Sequence, residues 1–185
     1  MPCEDARSER KFTQLTIELR PFTEPEYHDF FRNYVPDPVM EPGPYKYNRE
    51  VISRSFHYNY HVRENYAHYG IFAENRPAGC FQLKRIDSTR KYCEFGIILQ
   101  NESWMNQGIG TQAIRLGLEI AGKRFGIRTV MGDTSSLNHR MIRVFEKLGF
   151  RLVETVPDAF RMVNGQPGDR LVYEIDLTGL LSDTD

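Results

Sequence analysis

The chain has 185 residues, 40% of them hydrophobic, and a formal net charge of −1. That composition supports one sizeable core and predicts one domain over residues 12–178, between flexible ends at 1–11 and 179–185. The near-neutral charge gives no argument for bulk binding to nucleic acid, and no run approaches the roughly 18 apolar residues of a membrane span.

Leu15, Ile17 and Leu19 alternate with Thr16 and Glu18, which predicts a strand. Thr23 reads as a helix N-cap, with Pro25 and Glu26 in the first turn of a short helix carrying Tyr27, Phe30 and Phe31. Pro36-Asp37-Pro38 and Pro42-Gly43-Pro44 make a stiff loop before a second helical run, Arg49 to Glu64. Ala67–Glu74 and Ala78–Ile86 read as strands around the turn Asn75-Arg76-Pro77. Asp87 to Arg90 then turns the chain into a strand at 91–100. The segment Met105-Asn106-Gln107-Gly108-Ile109-Gly110-Thr111 follows, and Ala113, Ile114, Gly117, Leu118, Ala121 and Phe125 recur after it at helical spacing.

Arg128 to Met131 reads as a short buried strand. Leu137, Met141, Val144, Phe145 and Leu148 then mark an amphipathic helix, capped by Ser135 or Ser136 and ended by Gly149. Phe150–Val156 and Leu171–Leu177 read as a closing hairpin around Asn164-Gly165. The order is β-α-α-β-β-β-α-β-α-β-β. Directly consecutive strands pair antiparallel, and the strand–helix–strand unit at 91–131 supplies one parallel pair. The fold class is therefore α/β: a mixed, mostly antiparallel central sheet with helices on both faces.

Gly108 and Gly110 sit where a strand hands over to a helix. Such a turn presents free backbone N–H groups at the positive end of a helix dipole, which suits a phosphate or pyrophosphate. Gly108 to Ala113 also matches the dinucleotide fingerprint G-x-G-x-x-A, with Asp133 at the ribose-binding distance. The polar stretch Gln100–Gln107 breaks the required strand-to-glycine contact, and no further β-α units follow. A nucleotide-dependent oxidoreductase is disfavoured on that ground.

The segment Cys93–Phe150 resembles the GNAT superfamily of acyl-CoA-dependent N-acetyltransferases. Gly108 and Gly110 take the glycine places of that family's R/Q-x-x-G-x-G/A loop. Asn138 to Phe150, ending Glu146-Lys147-Leu148-Gly149-Phe150, is similar to its second cofactor motif, and is especially close to the ribosomal-protein and polyamine N-acetyltransferase branches. The resemblance implies acetyl-CoA as co-substrate, its pyrophosphate held by the amides of Gln107, Gly108, Ile109, Gly110 and Thr111. It implies a pantetheine contact for Asn138 and a 3′-phosphate contact for Arg143. Two departures stand out. Met105 replaces the loop's Arg or Gln and has no hydrogen to donate. Phe145 replaces the tyrosine that many members use as general acid.

The implied reaction is attack of a primary amine on the thioester. The amine must first lose a proton, because an ammonium of pKa near ~10 has no lone pair. Glu94, where related enzymes often place a glutamate, is the expected base; Ser136 is a hydroxyl that can serve the departing thiol. The backbone N–H of Leu99 is the expected donor to the thioester oxygen. The acceptor is an amine of a small molecule, a peptide N-terminus or a protein. Eight of the ten tyrosines and four of the five histidines fall between Tyr27 and Tyr69, interleaved with Glu24, Glu26, Asp29, Asp37, Glu41, Glu50 and Glu64. Aromatic faces and carboxylates together suit a cationic amine.

His57-x-x-x-His61 has helical ligand spacing but no accompanying ligand set, so no metal is expected. Cys3, Cys80 and Cys93 form no C-x-x-C pair, and Met1–Lys11 lacks the apolar stretch of a signal peptide. A reducing, cytoplasmic setting is expected. The resemblance makes a homodimer a common assembly. The competing reading is a non-catalytic acyl-CoA-binding or regulatory module on the same fold, which Met105 and Phe145 favour.

Overall fold

Two residues of left-handed backbone set the first hairpin. Glu74 (φ 48°) and Asn75 (φ 62°) form a two-residue turn between β2 (Tyr66–Ala73) and β3 (Arg76–Asp87). The turn sits one residue earlier than expected, so Arg76 and Pro77 already belong to the strand. The structure is a computed structural model, and it describes residues 15–41, 43–61, 63–161 and 167–179. The expected Asn164-Gly165 turn and nearly all of both expected flexible ends lie outside them.

β1 (Ile17–Arg20) leads into α1 (Glu24–Arg32), which starts at Thr23. The Thr23 N–H donates to Glu26 Oε2 at 2.8 Å, and Arg20 donates to both oxygens of that carboxylate at 2.7 and 3.0 Å. α2 (Arg49–Tyr60) is capped by Asn48 and ends before the expected Glu64. Tyr66 Oη donates to Asn59 Oδ1 at 3.0 Å, so the chain has to turn back between them.

β4 (Tyr92–Leu99) is followed by a 3-10 turn at Glu102–Trp104 and then α3 (Ile109–Phe125). β5 (Thr129–Ser135) is longer than expected, and α4 (His139–Leu148) is capped by Asn138 rather than by Ser135 or Ser136. Gly149, at φ 82°, ends α4 as its sequence position predicts. β6 (Arg151–Arg161) runs past Pro157 through an irregularity at Asp158 (φ 52°), and β7 (Pro167–Asp176) closes the hairpin.

The seven strands form one sheet in the order β1-β2-β3-β4-β5-β7-β6. β4 and β5 make the expected parallel pair; the other neighbours are antiparallel. That parallel contact is short. It covers Tyr92↔Thr129, Cys93↔Val130 and Glu94↔Met131. Beyond it β4 stays with β3 as far as Gly79↔Leu99, while β5 stays with β7 as far as Ser135↔Arg170. The two strands therefore part, and the sheet opens in its middle.

Strand alternation sorts the core onto two faces. Phe81, Leu83, Cys93 and Phe95 pack with Ile114, Leu118 and Ala121 of α3 and Phe145 of α4. Cys80 and Phe72 face the opposite way, under Tyr27 and Phe30 of α1 and Ile52 of α2. The expectation of helices on both faces is met. No helix among the described residues is long and apolar enough to cross a membrane.

Candidate active site

Two cavities meet where β4 and β5 part. The first, of about 320 Å³, lies against Ile97 and Leu99 of β4, the start of α3 from Gly108 to Thr111, the α4 cap Asn138, and Arg143 and Val144 of α4. The second, of about 340 Å³, lies over Cys80, Gln82 and Lys84 of β3 and Gly96 of β4, with Asp133, Thr134 and Phe160 around it. Both include Met40, Glu41, Ile97, Ile98, Asn138 and Met141. One cavity thus opens on the α3/α4 face of the sheet and the other on the α1/α2 face.

The start of α3 presents unpaired backbone donors to open space. Gly108 has φ 78°, a left-handed conformation that a side chain would strain. The first helical bond runs from Gln112 N to Gly108 O at 3.0 Å, so the N–H groups of Ile109, Gly110 and Thr111 have no partner inside the helix. A Cβ added at Gly110 would meet nothing within 4 Å, and one at Gly108 only the Gln112 side-chain nitrogen at 3.9 Å. Open space, unpaired donors and the helix dipole coincide there, which fits a pyrophosphate. Gln107 does not line the cavity; its side chain donates to Ser103 O. Met105 lines it, offering a thioether.

The register of β3 and β4 orients Leu99. Gln100 N donates to Ala78 O at 2.8 Å, which makes that pair the hydrogen-bonded one. Antiparallel alternation then turns the N–H of Leu99, opposite Gly79, away from β3 and toward the gap left by β5.

A loop between α1 and α2 folds over the junction. Val35 N donates to Gln100 O at 2.8 Å, and Arg140 pairs with Asp37 at 2.6 Å. Asp37 Oδ1 also accepts from Val39 N at 3.0 Å, and Met40 Sδ lies 3.5 Å from Thr134 Oγ1. Tyr34 donates its phenol hydrogen to Glu41. Burial and that carboxylate push the Tyr34 phenol well above the ordinary tyrosine range. Beneath the loop, the buried Gln100 side chain donates to Phe30 O at 3.0 Å and accepts from Trp104 Nε1 at 3.3 Å.

The sequence model of the acetyltransferase (GNAT) domain matches residues 16–151. The chain belongs to the GNAT acetyltransferases. Its reaction is acetyl-CoA-dependent transfer of an acetyl group to an amine. No curated protein matches the sequence. Among solved structures, the GNAT fold is shared with RimL, a ribosomal L7/L12 alpha-N-protein acetyltransferase in complex with coenzyme A. The two are 24% identical over 87% of this chain and 94% of RimL, with a TM-score of 0.74. A chimera of the spermidine N-acetyltransferase SpeG from Vibrio cholerae superposes with a TM-score of 0.77 at 17% identity, over 91% of this chain and 99% of its own. The dodecameric Vibrio cholerae enzyme gives 0.69 at 17%, over 93% and 99%.

Within this GNAT domain the geometry gathers Leu99, Gly108, Ile109, Gly110, Thr111, Asn138 and Arg143 around the first cavity. Asn138 Oδ1 is taken up by the α4 cap, accepting from Met141 N at 3.2 Å, while its amide nitrogen has no protein partner among the described residues. Arg143 is exposed on the rim.

Besides Gln107, two expected residues are not brought in. The carboxylate of Glu94 accepts from Arg85 Nη1 and from Tyr92 Oη, both at 2.8 Å, and lines neither cavity. The physical cause is an irregularity in β3 between Lys84 and Asp87, where Arg85 has φ 50°. The bulge turns Arg85 onto the face of Glu94, which simple alternation would deny it. Ser136 is likewise occupied: its Oγ accepts from Asp169 N at 3.0 Å and its N–H donates to Asp169 O at 2.8 Å, so it joins the end of β5 to β7. Phe145 is fully buried and stacked on Tyr173 at 4.4 Å, as core rather than cavity wall.

Tyr34, Met40, Gln100, Arg140 and Phe160 were not singled out in the sequence. Asp37 and Glu41 are among the acids of the aromatic-rich region, but nothing in their spacing separates them from the others.

Proposed function

We propose that acetyl-CoA and the acceptor amine reach the parting of β4 and β5 from opposite faces, and that Glu41 takes the amine's proton. The observation that carries this reading is that two cavities, one on each face, share Glu41 and the end of β4. Acetyl-CoA, when bound, supplies an acetyl thioester.

The amides of Gly108, Ile109, Gly110 and Thr111 hold the pyrophosphate at the positive end of α3. Arg143 serves the 3′-phosphate and Asn138 the pantetheine arm. The Leu99 N–H donates to the thioester oxygen as negative charge grows on it. Glu41 sits at the junction, in contact with the Tyr34 hydroxyl, and carries no paired cation among the described residues. It is better placed than Glu94, whose carboxylate Arg85 and Tyr92 already hold.

Overall, an ammonium and a thioester give an amide, a thiol and one released proton. A C–N bond forms as the C–S bond breaks. A thiol of pKa near ~8.5 can leave as the thiolate, so the missing tyrosine at Phe145 does not bar the step. The acceptor is a small molecule, a peptide N-terminus or a protein amine.

The test is thiol release from acetyl-CoA across an amine panel, with the acetylated amine quantified in parallel. One thiol per acetylated amine is the expected result. Acetyl-CoA binding without thiol release from any amine would make the chain a non-catalytic acyl-CoA-binding module.

A further inference from the structure

The acceptor cavity contains three charged side chains: Glu41, Lys84 and Asp133. Asp133 is neutralised, since Arg170 Nε lies 2.8 Å from its Oδ2. Glu94, opposite Lys84 across the β3–β4 ladder, is held by Arg85. Each acid close to Lys84 on the sheet thus has an arginine of its own. Lys84 and Glu41 are left as one cation and one anion without an ion pair among the described residues.

The position of the lysine is defined by a glycine. Lys84 Nζ lies 3.4 Å from where a Cβ on Gly96 would stand, and Gln82 Oε1 lies 3.8 Å from the same point. The ammonium therefore rests over bare backbone on the cavity floor, beside an amide oxygen. A half-buried ammonium there repels a second cation and attracts an anion, because the low dielectric strengthens both effects.

We infer that the acceptor is an amine that also carries an anionic group: its ammonium faces Glu41 and its anion faces Lys84. A free amino acid and a peptide N-terminus with an acidic side chain share this chemistry. A polyamine, which offers Lys84 only positive charge, is disfavoured. The inference rests on the acetyl-transfer reading given above.

The test compares kcat/KM for ω-amino acids and for diamines of the same graded chain lengths, and for short peptides with Asp or Asn after the N-terminal residue. Wild-type protein is expected to favour the anion-bearing acceptors by roughly tenfold or more, the scale of one charge-assisted hydrogen bond. The peptide arm separates an acidic side chain from a free amino acid as the source of the anion. Lys84→Met should collapse the ratio, and Lys84→Glu should invert it in favour of diamines. Acetyl-CoA affinity, set on the other face, reports that each variant is folded. A wild-type preference for diamines, or an unchanged ratio in Lys84→Met, overturns the inference while leaving acetyl transfer intact. Thiol release with none of the amines overturns acetyl transfer itself.

Discussion

Replacing Gly110 by leucine should separate folding from cofactor binding. Gly110 lies in the first turn of α3, and a Cβ there meets nothing within 4 Å. Leucine is a far better helix former than glycine, so the variant should be as stable as wild type or more stable by about 0.5–1 kcal/mol. The added side chain, however, occupies the space in front of the Ile109, Gly110 and Thr111 amides. Charge-assisted hydrogen bonds contribute about 1.5–3 kcal/mol each. Losing two of them weakens acetyl-CoA binding by about 3–6 kcal/mol, a factor above roughly 100. Thermal denaturation without ligand reads the first effect, and calorimetric titration with acetyl-CoA reads the second. Wild-type protein at 100 times its Kd gains about 2.7 kcal/mol from the ligand, and the variant at the same concentration should gain almost none. A Gly110→Leu protein that melts normally and binds acetyl-CoA within threefold of wild type would refute the assignment of the pyrophosphate to this helix start.

Gly117→Ala should lower the melting temperature despite a better helix propensity, because the new Cβ would stand 2.1 Å from Cζ of the fully buried Phe81, whose ring stacks on Phe95; overpacking of this kind costs about 1–3 kcal/mol, and a rise in melting temperature would contradict it. Burial depresses the His68 imidazole to about 4, so between pH 6.5 and 4 the unfolded chain takes up a proton that the folded one refuses. Stability is then complete above pH 6.5 and falls by about 3 kcal/mol as pH drops to 4, a slope that melting curves of wild type should show and His68→Gln should lack. Asp37→Asn removes the ion pair with Arg140, both partners being partly exposed, so stability should change by less than about 1 kcal/mol. The amine KM should nonetheless rise several-fold as the loop over the junction loosens; an unchanged KM would remove that loop from acceptor binding.

Local chemistry was legible in the chain where it is written locally. Thr23 and Gly149 mark helix ends by type alone, and the phosphate-type turn at Gly108 and Gly110 follows from two glycines between a strand and a helix. Three features escaped, each decided by distant parts of the chain. The bulge at Arg85 depends on how β3 and β4 register, and it alone hands Glu94 to an arginine. Phe160 reaches the second cavity because β6 continues past Pro157 through the irregularity at Asp158. The loop bearing Asp37, Met40 and Glu41 contains no periodicity; Arg140 and Gln100, over 50 positions away in the chain (by residue number), hold it over the junction. Single-residue alternation therefore pointed to Glu94 on β4 and not to the loop that carries Glu41.

The most direct test of the two-sided site is kcat for Glu41→Gln and Glu94→Gln, measured at saturating acetyl-CoA alongside acetyl-CoA affinity. Both variants should bind acetyl-CoA as wild type does. Glu41→Gln should lose about 100-fold or more in kcat, the scale of general-base catalysis, and should recover part of it as pH rises and free amine becomes available. Glu94→Gln should turn over close to wild type. A large loss confined to Glu94→Gln would return the proton to Glu94 and contradict the meeting of the two faces at Glu41.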